Sequence, residues 1–370
     1  MKKSLLSGLG IILLAGLIFS PASSAAASNK SGDTAWVNGV PAGRVNCSES
    51  ESPIRTETPA LVDLPTVVPV VLEGASPESV VEPEVKIVEP PFQAGGISSD
   101  VPVKVETFAL SSTYLDGTER IAQVYLPGDY AQNPEQRFPV LYAFDGQQLP
   151  QIGFEQTLNG LFASGEVTPF IVVAVFSTEG DLRRQELGAG PNINMLGWGI
   201  KSDAFNHFVI DEWVPEINRA YRTLPGAQNT AVMGWSLGGL TSFYLAWQYP
   251  DTFGIVGAFS PSFWWRTGSL PGEELQARVI PNLVRSSTDR PGLRMWFEAG
   301  TKELPYSDVD GNGVIDMIQD VQDMMSLLAQ KGYQVNSDRV YVEVAGGQHE
   351  LSTWETVLPD FLKFAFAPEL

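Results

Sequence analysis

Gly234-Trp235-Ser236-Leu237-Gly238 places a serine between two glycines. An apolar run, Asn229 to Met233, comes before it, and a stretch with helical spacing, Leu237 to Tyr249, comes after it. A sharp strand-to-helix turn holds a serine in a strained backbone conformation, and flanking glycines remove the Cβ atoms that would clash. The hydroxyl then stands at a helix N-terminus, where partial positive charge favours an alkoxide. The chemistry predicted is nucleophilic attack on a carbonyl carbon. Gly-X-Ser-X-Gly is a common pattern, and the bland reading is a glycine-rich helix start capped by Ser236. The strand before it and the helix after it favour the nucleophile.

A serine hydroxyl attacks only when a base takes its proton. The chain has two histidines. His349, in Gly346-Gly347-Gln348-His349, follows the last predicted strand, Arg339 to Val344. His207 precedes Ser236 and falls inside a predicted helix, the wrong chain order for a serine on such an elbow, and reads as structural or surface-exposed. The acid that orients the base is expected between Ser236 and His349, past a strand's carboxyl end. Glu303 in Glu298-Ala299-Gly300-Thr301-Lys302-Glu303 is the first choice; Glu298, Asp308 and Asp310 are rivals. An oxyanion hole needs two donors. The backbone N–H of Leu237 supplies one. Gln147, in the loop Asp145-Gly146-Gln147-Gln148, supplies the other, with a plain polar turn as the alternative.

These residues need elements that bring them to one edge. Strands are expected over Val103 to Leu110, Arg120 to Leu126, Pro139 to Phe144, Phe170 to Phe176, Asn229 to Met233, Ile255 to Phe259, Leu293 to Phe297 and Arg339 to Val344. Helical spacing marks Phe205 to Tyr221, Leu237 to Tyr249 and Met317 to Ala329. Strands alternating with helices imply a mainly parallel sheet covered on both faces. From Val101 to Leu370 the chain reads as one α/β domain.

Several ordered motifs then resemble one family of α/β-hydrolases, which includes esterase D, enterochelin esterases, feruloyl esterase domains of xylanases and mycobacterial mycolyltransferases. Leu141 to Gly146 resembles its oxyanion strand and loop. Arg183 with Glu186 resembles its Arg-X-X-Glu stretch, and Tyr221-Arg222-Thr223 its approach to the elbow. Ser260 to Trp265 resembles its Ser-X-Ser-X-Trp-Trp segment. Gly300 to Glu303 resembles its acid loop, with Glu in place of Asp. Gly346 to His349, followed by Trp354, resembles its histidine loop. Asp145 stands where many members have His. The resemblance covers roughly 103–367 and implies an α/β-hydrolase fold and a serine esterase acting on a small-molecule ester. It implies an acyltransferase as the alternative; an inactive binding protein on the same fold is a third.

Composition narrows the partners. The chain has 370 residues, 23 Lys+Arg against 43 Asp+Glu, and a net charge of -20. Such a surface repels phosphate backbones, so nucleic acid is not expected. A single Cys, Cys47, excludes an internal disulfide and a Cys-based zinc cluster. Residues 1–27 read as a secretory signal peptide, with Lys2 and Lys3, an apolar stretch from Leu5 to Phe19, and Ala25-Ala26-Ala27 at the cleavage region. That predicts export to a periplasm or beyond, with no stable membrane span after cleavage. Residues 28–100 are rich in Pro, Glu and Val and read as a disordered acidic linker, with an added N-terminal strand as the rival.

No cofactor is required by this chemistry. Asp308, Asp310, Asn312 and Asp316 match most of a calcium-binding loop, but the twelfth position is Gln319, not an acid; an Asp/Gly-rich turn into a helix is the alternative. Trp264 and Trp265 are candidates for the wall of an acyl or aromatic pocket, with core packing as the equal alternative.

Overall fold

The computed structural model describes residues 101–132, 134–268, 276–303 and 307–368, with the backbone of Lys86–Val88. The segment read as a signal peptide lies outside these residues, as does most of the segment read as a linker. Within the latter, Lys86–Val88 is a short strand, β1, that pairs in parallel with a strand near the C-terminus.

The other strands are β2 (Lys104–Ser111), β3 (Glu119–Leu126), β4 (Val140–Phe144), β5 (Ile171–Val175), β6 (Thr230–Trp235), β7 (Ile255–Phe259), β8 (Arg294–Gly300) and β9 (Arg339–Val344). They form one sheet in the order β1-β9-β8-β7-β6-β4-β5-β3-β2. β2 and β3 are antiparallel to their neighbours; from β5 across to β1 every pairing is parallel.

Helices cover both faces, so the central strands are apolar on both sides. In β4, Val140, Tyr142 and Phe144 enter one core while Leu141 and Ala143 enter the other. Helix α1 (Phe154–Ser164) covers the second core with the C-terminal helix, Leu351–Ala365. α2 (Gly180–Glu186) packs against α3 (Ser202–His207), and the first core lies under α3, α4 (Val214–Ala220), α5 (Leu237–Gln248), α6 (Val279–Ser286) and α7 (Asp316–Gln330). The C-terminal helix is α8.

The helix expected over Phe205 to Tyr221 is α3 and α4 joined by a widened π turn at Phe208–Trp213. That turn ends just before Pro215, which has no N–H and whose ring would clash in a regular α ladder. Its apolar face is kept: Phe208, Trp213 and Ile217 are buried. Two helices beside the site, α1 and α8, carry no counterpart among the expected elements. In α8, Trp354, Val357, Leu358, Phe361 and Leu362 hold helical spacing, but Pro359 interrupts the run.

Candidate active site

Ser236 follows β6 and opens α5, with φ 58° and ψ −122°. A non-glycine residue there carries strain of about 1–3 kcal/mol, which its surroundings must over-determine. The Ser236 N–H donates to the Phe259 carbonyl at 2.9 Å, and the Ser236 carbonyl accepts from Leu240 and Ser262, both at 3.1 Å. The glycines are required by contact. A methyl group at Gly234 would lie 2.6 Å from the Gly238 carbonyl carbon, and one at Gly238 would lie 3.0 Å from Asp145 Oδ2. The elbow can therefore close only with hydrogen at Gly234, while at Gly238 a methyl would press on the Asp145 carboxylate.

The base and acid meet beyond β8 and β9. His349 Nδ1 lies 2.8 Å from Glu303 Oε2, with the carboxylate buried and the imidazole partly open to solvent. The other Glu303 oxygen accepts the Gly300 N–H at 2.9 Å and the Ser260 hydroxyl. The Gly300 N–H, the Ser260 hydroxyl and the His349 ring thus converge on one carboxyl group, which holds it in place. Of the rival acids, Glu298 faces Ser260 rather than His349, and Asp308 and Asp310 lie in an exposed loop. With Nδ1–H given to Glu303, Nε2 of His349 is the atom left to accept a proton.

Two tryptophans link the elbow to this pair. Trp354 on α8 stacks on Trp235, the residue before the nucleophile, at 5.2 Å and 10° between planes. The same ring meets His349 edge to face at 5.2 Å. Its Nε1–H donates to Ser260 Oγ at 2.8 Å. Trp235 Nε1–H donates to Gln148 Oε1 at 2.7 Å, in the loop after β4. Sequence reasoning placed Trp354 in the histidine loop but found no role for it, because the stack joins residues over a hundred positions apart.

The loop after β4 is held from below. Asp145 has a φ of 57° and is almost fully buried. Arg183 grips it in a two-pronged bond, Nε to Oδ1 at 2.7 Å and Nη2 to Oδ2 at 2.6 Å. Burial pulls the guanidinium's pKa down, but the bonds to Asp145 and its charge outweigh that and raise it. Three residues on, Glu186 pairs with Arg120 of β3 and accepts the Thr178 hydroxyl at 2.9 Å. The Arg-X-X-Glu stretch thus anchors the loop and the sheet edge beside it. Gln147 Oε1 accepts the Ser177 N–H at 3.1 Å, which fixes this residue at the start of a short 3-10 helix, Gly146–Ile152. The N–H groups of Gln147 and Leu237 both belong to helix first turns, where no intrahelical acceptor exists.

The two tryptophan candidates separate. Trp265 is fully buried; its Nε1–H donates to the Asn192 carbonyl at 2.7 Å, so it braces the 188–202 loop from inside and is not a pocket wall. Trp264 is half-buried and meets Trp198 edge to face at 6.1 Å. Trp198, which no sequence motif singled out, lies under the Arg184 guanidinium at 5.3 Å. Near Trp198 in the chain, Ile193, Met195, Leu196 and Ile200 are exposed.

His207 lies away from this chemistry. It bonds Asp211 at 2.9 Å one turn on and stacks on Tyr114. In the loop 308–316, Asp308 accepts the N–H groups of Asn312 and Gly313, and Asp310 takes the Gln319 side chain at 2.7 Å. Its carboxylates are turned onto the loop's own donors. Among the described residues no three His, Cys, Asp or Glu side chains are gathered to hold a metal ion. No helix of the described residues is long and apolar enough to cross a membrane.

Comparison with known proteins bears on the family and the fold. The family model described as "Putative esterase" matches residues 112–365. An uncharacterized protein of Bacillus subtilis, YjcH, is 26% identical over 241 residues, 65% of this chain and 88% of that protein. The iron(III) enterobactin esterase of Dickeya dadantii is 28% identical over 256 residues, 67% of this chain and 52% of that protein, so the chain spans about half of that relative. The structure of a ferulic acid esterase from Anaeromyces mucronatus superposes with a TM-score of 0.53 at 21% identity, covering 76% of this chain and 99% of that one, and shares the α/β-hydrolase fold.

Proposed function

The chain belongs to the putative esterase family, and on that premise we propose that it hydrolyses small carboxylic esters through an acyl-enzyme on Ser236. One observation carries this reading. The strained elbow serine and the His349–Glu303 pair sit at the same carboxyl edge of the sheet, tied together through the Trp235–Trp354 stack.

In this mechanism His349 Nε2 takes the Ser236 proton as Oγ attacks the ester carbonyl. Glu303 holds the ring in the needed tautomer and stabilises the imidazolium that forms. Serine–histidine bonds in substrate-free hydrolases are commonly long and tighten when substrate excludes water. The oxyanion is received by the N–H groups of Leu237 and Gln147. His349 then gives its proton to the leaving alcohol. In the second half it activates water, which cleaves the acyl-enzyme and restores Ser236. No cofactor enters either half.

The half-buried Trp264, two positions after Ser262, whose N–H donates to the Ser236 carbonyl, and Trp198 against it favour an ester with an apolar or aromatic acyl group. The reading of residues 1–27 as a signal peptide supports export, to a periplasm or the exterior. The test of the chemistry is a rate series on p-nitrophenyl esters of increasing chain length and on methyl ferulate, with Ser236→Ala beside the native protein. The substitution should lower kcat by a factor on the order of 10⁶, the loss typical of a triad serine. Retained turnover in pure Ser236→Ala protein would refute the acyl-enzyme.

A further inference from the structure

Behind the acid of the triad lies a second carboxyl group that the mechanism above does not use. Glu298, on β8, is fully buried. Its Oε2 lies 3.2 Å from Ser260 Oγ, and Ser260 Oγ is also bonded to Glu303 Oε1. Two buried carboxyl groups therefore share one serine hydroxyl.

Counting protons assigns their states. Ser260 Oγ has one hydrogen and two acceptor positions. One acceptor position takes the Trp354 Nε1–H at 2.8 Å. The hydroxyl hydrogen points to one carboxyl group, and the other carboxyl must then supply a hydrogen of its own to fill the remaining position. Glu303 is the group suited to keep the charge: it receives His349 Nδ1 at 2.8 Å and the Gly300 N–H at 2.9 Å. Glu298 is poorly placed to hold one. Its Oε1 is buried with no hydrogen-bond partner, and no ion pair among the described residues reaches it. The Ser260 N–H approaches Glu298 Oε2 at 3.2 Å, but its shorter bond, 2.9 Å, is to the Glu298 carbonyl in the sheet.

We propose that Glu298 is a neutral carboxylic acid that donates its proton to Ser260 Oγ, so that Ser260 in turn donates to Glu303 and fixes the carboxylate that orients His349. Glu298 and Ser260 are positioning residues, and the chain runs Glu298 O–H, Ser260 O–H, Glu303 carboxylate, His349 N–H. Strain at Ser260, whose φ is 41°, agrees with a side chain held to one direction by its surroundings. Burial, reinforced by the Glu303 charge, pushes the Glu298 pKa well above the ordinary glutamate range, in the same direction. The titratable groups that face it are Glu303, from the loop after β8, and, at longer range, the Tyr341 phenol on β9; Ser260 and Trp354 are its other polar neighbours.

This inference rests on the triad reading, and its test separates the two. Infrared difference spectra of the native protein and Glu298→Gln at neutral pH report the carbonyl stretch of a protonated carboxyl group without need of turnover. The band should be present in the native protein and absent from the variant. Steady-state pH profiles on a p-nitrophenyl ester form the second readout. Glu298→Gln keeps a neutral donor of the same shape, so kcat and the acid limb of kcat/KM should stay in place. Glu298→Leu loses the donor, and kcat should fall about threefold to tenfold with KM unmoved, the size of one neutral hydrogen bond. A missing carboxyl band in the native protein would overturn the proposal. So would a Glu298→Gln profile whose acid limb moves to lower pH, because removing a negative charge near His349 weakens its hold on a proton. If Glu298→Leu fails to fold, the band and the Gln profile still decide. If Ser236→Ala keeps its activity, the acyl-enzyme falls while the band still reports whether Glu298 holds its proton.

Discussion

Trp354 stacks on Trp235 at 5.2 Å with 10° between the rings, and this contact joins the helix after His349 to the residue before Ser236. Ser236 after β6 and His349 after β9 are separated by β7 and β8 in the sheet. Their approach depends on what packs across that gap. The stacked indoles fill it, and both use their N–H groups to hold neighbouring loops, one through Gln148 and one through Ser260.

Trp354→Phe keeps a ring on Trp235 but removes the donor to Ser260. We expect kcat to fall about threefold to tenfold, the effect of one hydrogen bond, with little loss of stability. Trp354→Ala empties the gap and should cost about 3–5 kcal/mol in urea unfolding. Equal kcat losses without a stability difference would show that the ring does not support the elbow.

Arg183 is expected to be irreplaceable. Without it Asp145 remains buried with its main cation gone, at a cost of about 3–5 kcal/mol. Arg183→Lys should recover little, since an ammonium cannot make both bonds of the guanidinium at once. Urea midpoints and kcat should fall together, because the same pair sets the loop that carries Gln147.

Two glycine-to-alanine changes should go opposite ways. At Gly234 the new methyl would overlap the backbone of Gly238, so activity should be abolished and the yield of folded protein reduced. At Gly160, inside α1, no atom outside its own helix lies within 4 Å of the added methyl. There the better helix former should add about 0.5–1 kcal/mol of stability. Thermal unfolding of both variants checks the pair.

Glu298 also predicts a dependence of stability on pH. Its folded-state pKa is raised above the ordinary value of 4.5, by burial first and by Glu303 second. Such a group contributes stability that is fully present below its unfolded pKa and lost as pH rises through the folded one. Above about pH 4.5 the folded protein holds one proton more than the unfolded chain, and stability from this source falls by about 1.4 kcal/mol per pH unit until Glu298 ionises. Glu298→Gln has no such term. The difference in Tm, variant minus native, should therefore widen from pH 4 upward. A constant difference across that range would show that Glu298 titrates as it does in the unfolded chain.

Much of the site is legible in the order of residues. The elbow is visible because its glycines must flank the serine, two positions to either side, to let β6 and α5 meet. The sheet strands are visible because both faces are covered, which leaves unbroken apolar runs such as Ile171–Val175. With two histidines in the chain, the order of elements singled out His349. Glu303 was legible only as one acid among several, since neither spacing nor residue type says which carboxylate a loop will turn inward.

The chain by itself determined the strands β2 to β9, their alternation with helices, and Ser236 and His349 as candidates, because these follow from local sterics, residue order and the period of apolar residues. The tertiary structure decided the rest. Trp265 and Trp264 are adjacent and alike in type, yet packing buries one and leaves the other at the rim. Glu298 and Glu303 are five positions apart and chemically identical. Glu303 is turned to His349 while Glu298 is turned to Ser260, because strand register and the contacts of Ser260 and Trp354 set their environments. Electrostatic state depends on which groups converge in space, and that convergence exists only once the sheet has brought β7, β8, β9 and α8 together.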